Sequence, residues 1–110
     1  MDRLMEAQLR IENIEAMRLR QGIDDVELRA AIRGLGVGDS VRLTIFSGDA
    51  SAGGETVVVR ITAIDGRQFR GTLAARPVLK VLAGLKAGLP LAFTADCIHS
   101  VVQERSTHGK

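Results

Sequence analysis

Apolar residues recur at spacings of three and four from the N-terminus, at Leu4, Ala7, Ile11, Ile14 and Met17, with no Gly or Pro between Asp2 and Gln21. That stripe predicts an amphipathic helix over 2–21. Gly22 ends it, being free to take a left-handed conformation, with Ile23 folding back onto the last turn. A second helix follows, capped by Asp24 with Glu27 three residues on. Leu28, Ala31, Ile32 and Leu35 make its buried face, and Gly34 and Gly36 close it.

Beyond Gly38 the period shortens to two. Val41, Leu43 and Ile45 alternate with Arg42, Thr44 and Phe46, and residues 56–64 (TVVVRITAI) are β-branched almost throughout. Both segments read as strands. Asp65-Gly66 is a tight-turn signal, and Phe69, Gly71 and Leu73 alternate after it, which predicts a hairpin. Residues 78–85 fit either a short helix or a loop. Leu89–Thr94 and Ile98–Val102 read as two more strands, separated by a helical turn at Ala95-Asp96-Cys97. The expected fold is α+β: two N-terminal helices (1–36) followed by a five-stranded SH3-like β-barrel (37–102) and a polar tail (103–110).

A length of 110 residues suits one domain with one core. The single cysteine, Cys97, cannot form an internal disulfide, the N-terminus carries acids and no apolar signal segment, and the longest uncharged apolar stretch, 87–95, is broken by Pro90. These features lead us to expect a cytoplasmic protein without a membrane span. Fifteen basic against thirteen acidic residues leave a net charge of only +2, less than a nucleic-acid-gripping domain usually carries.

Over residues 38–102 the chain resembles a group of small bacterial β-barrel domains of unknown function. The resemblance rests on Gly38-Asp39 with Val41, Leu43 and Phe46, on Gly54-Glu55 opening a Val-rich strand, on Asp65-Gly66, and on Phe69-x-Gly71-x-Leu73. Pro77, Leu85-x-x-Gly88, Phe93 and Ile98 complete it. It implies a small barrel and no particular activity. A weaker similarity links Asp49-x-Ser51-x-x-Gly54 and Arg29-x-x-x-Arg33 to the paired motifs of PilZ domains. It implies a cyclic di-GMP site with Arg29 and Arg33 on phosphates and guanine edges and Asp49 and Ser51 on a guanine.

Other constellations read as scaffold. The glycines of Gly34-Leu35-Gly36-Val37-Gly38 follow a helix and precede a strand, the reverse of a dinucleotide loop, and so predict a helix-to-barrel hinge. Cys97 and His99 share a strand phase but lack a third ligand or an orienting partner, so neither metal binding nor cysteine catalysis is expected. Arg42, Arg60 and Arg70 fall on the polar phase of three consecutive strands and form a candidate anion patch. Against a nucleic-acid role, the three Phe fit core or strand positions and leave no stacking platform, and residues 1–36 hold six arginines against seven acids. The expected function is a non-enzymatic binding module that needs no cofactor and associates with itself through Leu4, Ile11, Ile14 and Met17. A PilZ-like cyclic di-GMP sensor and a nucleic-acid-binding small barrel are the alternatives.

Overall fold

A computed structural model of the protein describes residues 9–47, 54–78, 82 and 84–102. A short strand β1 (Leu9–Ile11) precedes helices α1 (Ile14–Arg20) and α2 (Val26–Arg33). Then come β2 (Ser40–Ser47), β3 (Gly54–Asp65), β4 (Gln68–Leu73) and β5 (Pro90–Thr94), a 3-10 turn (Ala95–Cys97) and β6 (Ser100–Val101). Consecutive strands from β2 to β5 pair antiparallel, and β6 returns to β2, so the sheet curls into a nearly closed barrel.

The edge of β2 that faces away from β3 is shared. β6 takes Val41 and Arg42, and β1 takes Ile45 to Ser47. Backbone bonds from His99 N to Arg42 O (2.8 Å) and from Glu12 N to Thr44 O (2.9 Å) fill the span between. Covering an edge in this way removes a row of unpaired donors and acceptors that would otherwise template aggregation.

β1 corrects the expectation of one long N-terminal helix. Ile11 belongs to the helical stripe, but with Leu9 it also fits a period of two, and the vacant edge of β2 offers a ladder that an isolated helix cannot match. Helix starts afresh at Asn13, whose side chain accepts from Ala16 N at 2.8 Å. α1 ends as predicted: Gly22 takes φ 80°, Ile23 N donates to Arg18 O and Gly22 N to Leu19 O, a Schellman closure. In α2 the cap is Asp25, not Asp24. Asp25 accepts from Leu28 N at 3.0 Å, while Asp24 turns to Arg29.

The inward phase of the strands fills the barrel. Val41, Leu43 and Ile45 of β2 meet Val57, Val59 and Ile61 of β3, Phe69 and Leu73 of β4, and Leu91 and Phe93 of β5. Phe69 and Phe93 stack with ring centres 5.5 Å apart. Leu82 and Leu85, from the segment that reads as either helix or loop, plug one end, and Leu85 N donates to Leu82 O in a tight turn. Such packing leaves the interior to side chains rather than to a ligand. The predicted hinge is tied down: Gly36 N donates to the Asp39 carboxylate and Gly38 N to Ile61 O, both at 2.9 Å. β3 bends at Thr62, where the register slips so that Ile61 faces Gly71 and Ala63 faces Arg70, the signature of a bulge.

Candidate functional site

The two helices rest on the segment that closes the barrel: α1 on the 3-10 turn and α2 on β6. Between them lies an open cleft of about 250 Å³. Its floor is apolar, with Ile14 and Ile98 buried, Leu28 and Ile32 half-buried, and Leu19 and Ile23 exposed at 56% and 46%. The rim is charged. Arg18 pairs with Asp25 at 2.7 Å and reaches the His99 carbonyl oxygen, Arg29 pairs with Asp24, and Arg67 stands 3.9 Å from Glu15. Arg33, also on the rim, has no ion-pair or hydrogen-bond partner among the described residues.

One polar link fixes the cleft's inner wall. Asn13 caps α1 with its oxygen and donates from Nδ2 to Asp96 at 3.0 Å, so the helix start is bolted to the 3-10 turn. Asp96 also accepts from the Thr94 hydroxyl. That bond, assisted by the one from Asn13, holds the Asp96 carboxyl below its ordinary value against a smaller opposing effect of burial. Across the same wall, His99 is held below the usual imidazole value, first by burial and then by the positive charges of Arg18 and Arg42.

The predicted residues fall in three places. Arg29 and Arg33 reach the cleft, beside the Ser40 end of β2. Gly54 sits where β3 begins, opposite Phe46, about 20 Å along β2 at the usual strand rise. Asp49 and Ser51 lie outside the described residues. Of the residues in the PilZ-like pattern that are described, Arg29 and Arg33 thus stand at the opposite end of β2 from Gly54. Of the stripe expected to mediate self-association, Ile14 is 1% exposed, Ile11 packs against the core and Met17 is half-buried, while Leu4 lies outside the described residues. Cys97 ends the 3-10 turn against the Thr94 hydroxyl, and His99 contacts Ser100, so the two do not share a strand face. Among the described residues no cluster of His, Cys, Asp or Glu is placed to hold a metal, and no helix is long and apolar enough to cross a membrane.

Arg42, Arg60 and Arg70 do share one face, the outward side of β2, β3 and β4. Arg60 faces Ser40, two residues from Arg42, and Thr72, two residues from Arg70. The three thus form a diagonal line across the sheet. Comparison of the chain with protein families, curated proteins and solved structures finds no match.

The cleft escapes sequence reasoning because four separate segments build it. Its one legible signal was the run of large apolar residues around the α1–α2 connection, Leu19, Ile23 and Val26, all of which remain exposed.

Proposed function

We propose that this protein is a non-enzymatic binding module, an SH3-like barrel whose N-terminal helices and closing segment form a recognition cleft for an apolar, acid-bearing segment of a partner protein. A four-strand meander followed by a 3-10 turn and a short strand returning to the first supports the SH3-like reading. The observation that carries the functional reading is the cleft's composition. Leu19 and Ile23 expose apolar surface that burial in a complex would remove from water, at roughly 25 cal/mol per Å². Arg33 stands beside that surface without a carboxylate of its own, so a partner's acidic group gains a charge-assisted contact there without displacing an internal pair. Arg18 and Arg29 are already neutralised and serve to shape the walls.

Random-peptide display against the intact protein tests this. Enriched peptides should combine large apolar residues with Asp or Glu, lose binding to Leu28→Asp and bind Arg33→Glu at least several-fold more weakly. Peptides that bind both variants as well as the parent would place recognition elsewhere and overturn the reading.

A further inference from the structure

A second surface, remote from the cleft, carries a different chemistry. Phe46 was expected in a core or strand position that offers no stacking platform. It occupies instead the outward phase of β2 with Arg42 and Thr44, half-buried, and its ring lies against Gly54: a Cβ built at Gly54 would fall 2.8 Å from Phe46 Cε2. The absence of a side chain at Gly54 seats the ring on that flank, and Arg10 of β1 is its cross-strand partner on the other. From this ring the same face runs past the hydroxyl pair Thr44–Thr56, whose oxygens are 2.9 Å apart, to the diagonal of Arg42, Arg60 and Arg70.

Diagonal neighbours on an antiparallel sheet stand about 7–8 Å apart, close enough for like charges to repel. Arg60 and Arg70 are exposed and form no ion pair or hydrogen bond among the described residues, and Arg42 contacts only the Ser100 hydroxyl, at 3.2 Å. Among the described residues two carboxylates share the face, Glu12 beside Thr44 and Asp65 at the hairpin tip, and neither bonds to the three arginines. Three neighbouring guanidiniums make the local field positive. An aromatic platform followed by a line of unneutralised guanidiniums and hydroxyl donors is the arrangement that binds single strands, with bases on the ring and phosphates on the arginines.

We infer that the outward face of β2, β3 and β4 is a binding surface for single-stranded nucleic acid, with Phe46 stacking a base and Arg42, Arg60 and Arg70 tracking the phosphates. A duplex fits poorly. A major groove is read by a helix or a two-stranded ribbon inserted into it, and the outward side of three strands in a curled barrel presents neither.

The test is fluorescence anisotropy with a labelled oligodeoxythymidylate over a salt series. Three phosphate contacts on a single strand predict a slope of log K against log[salt] of about −2. Arg60→Ala and Arg70→Ala should each weaken binding about tenfold and flatten the slope by about 0.7. Phe46→Ala should weaken it at least fivefold and leave the slope unchanged, because a stack carries no counterions, and Phe46→Tyr should restore affinity. The His99 ring should titrate at higher pH in the complex, as phosphates offset Arg42. Arg33→Glu, in the cleft, should bind like the parent, so failure here and failure of the peptide-binding reading are separable. No binding at low salt would overturn the inference. So would equal loss with Arg33→Glu, a Phe46→Ala protein that binds as tightly as the parent, or full competition by polyglutamate, which would make the face a general acid-binding surface.

Discussion

Gly71 is the position at which the barrel's curvature can be tested by one substitution. It lies between Phe69 and Leu73 on the inward phase of β4, opposite Ile61 and next to the bulge at Thr62. A Cβ added there would fall 2.5 Å from the Arg60 carbonyl oxygen and 2.6 Å from Val59 Cγ1. Contacts this short do not occur, so β3 and β4 must part or the bulge must shift. The Val59 methyl is able to rotate away, whereas the Arg60 carbonyl belongs to the backbone and is not. The obstacle is steric alone, because Gly71 does not have the positive φ found at Gly22, Gly38, Gly66 and Gly88. Overpacking a core typically costs about 1–3 kcal/mol, and a clash with backbone belongs at the upper end. The better strand propensity of Val returns at most about 1 kcal/mol. Gly71→Val should therefore destabilise by about 2 kcal/mol net, a fall in Tm of the order of 10 °C for a domain of this size. Gly71→Ala should fall on the same side, since its Cβ already meets the carbonyl. Urea denaturation gives the answer, with an unchanged m-value showing that stability rather than compactness moved. Thr72→Val, on the outward phase, is the control and should be near neutral. If Gly71→Val equals or exceeds the parent, the strands are not coiled as described, since in a flat sheet the same change gains propensity without a clash.

Further outcomes follow from the cleft wall and the core. Asn13→Ala should cost about 1 kcal/mol as a lost helix cap, and a double-mutant cycle with Asp96→Ala should show positive coupling, because one side chain serves both cap and 3-10 turn. Asp96 has a folded-state value below its unfolded one, so its contribution is complete above about pH 4 and is lost as the pH falls through the folded value; Asp96→Asn should flatten acid unfolding there. His99 is likewise lowered, so the unfolded chain takes up its proton first and stability should decline as pH drops below about 6.5, a slope that His99→Gln abolishes. Ile14→Ala should cost about 2–5 kcal/mol in the isolated protein, as befits a residue buried within one protomer.

What could be read in advance was whatever neighbours along the chain decide. The strands alternate because one face of each packs inward, and β-branched residues suit that surface, so β2 to β5 stand close to their expected places. A tight turn forms at Asp65-Gly66 as expected, but its two loop residues are Gly66 and Arg67, and Gly66 at φ 63° with no positive φ at Arg67 is the sign pattern of a type II′ hairpin, not of the I′ turn that Asp-Gly favours. The 3-10 turn at Ala95–Cys97 also falls where it was expected. The errors arise where a distant element casts the deciding vote. Ile11 suits the helical stripe and, with Leu9, a period of two, and the open edge of β2 decides for strand. Asp24 and Asp25 are equally good caps in sequence, and the choice between them turns on which carboxylate Arg18 and Arg29 each claim.

Phe46 is the instructive case. Its phase, shared with Arg42 and Thr44, already set it on the outward face, but hydrophobicity argued for the interior, and the conflict is settled by a residue eight positions on. Gly54 pairs with it across the sheet and has no side chain to crowd the ring, so the ring rests half-buried on the sheet. A bulkier partner would lift the ring off the sheet and cost the platform its fixed orientation. Gly54→Ala should then leave the inward core intact while loosening Phe46, and thereby separates the contribution of this one aromatic to the outward face from its contribution to stability.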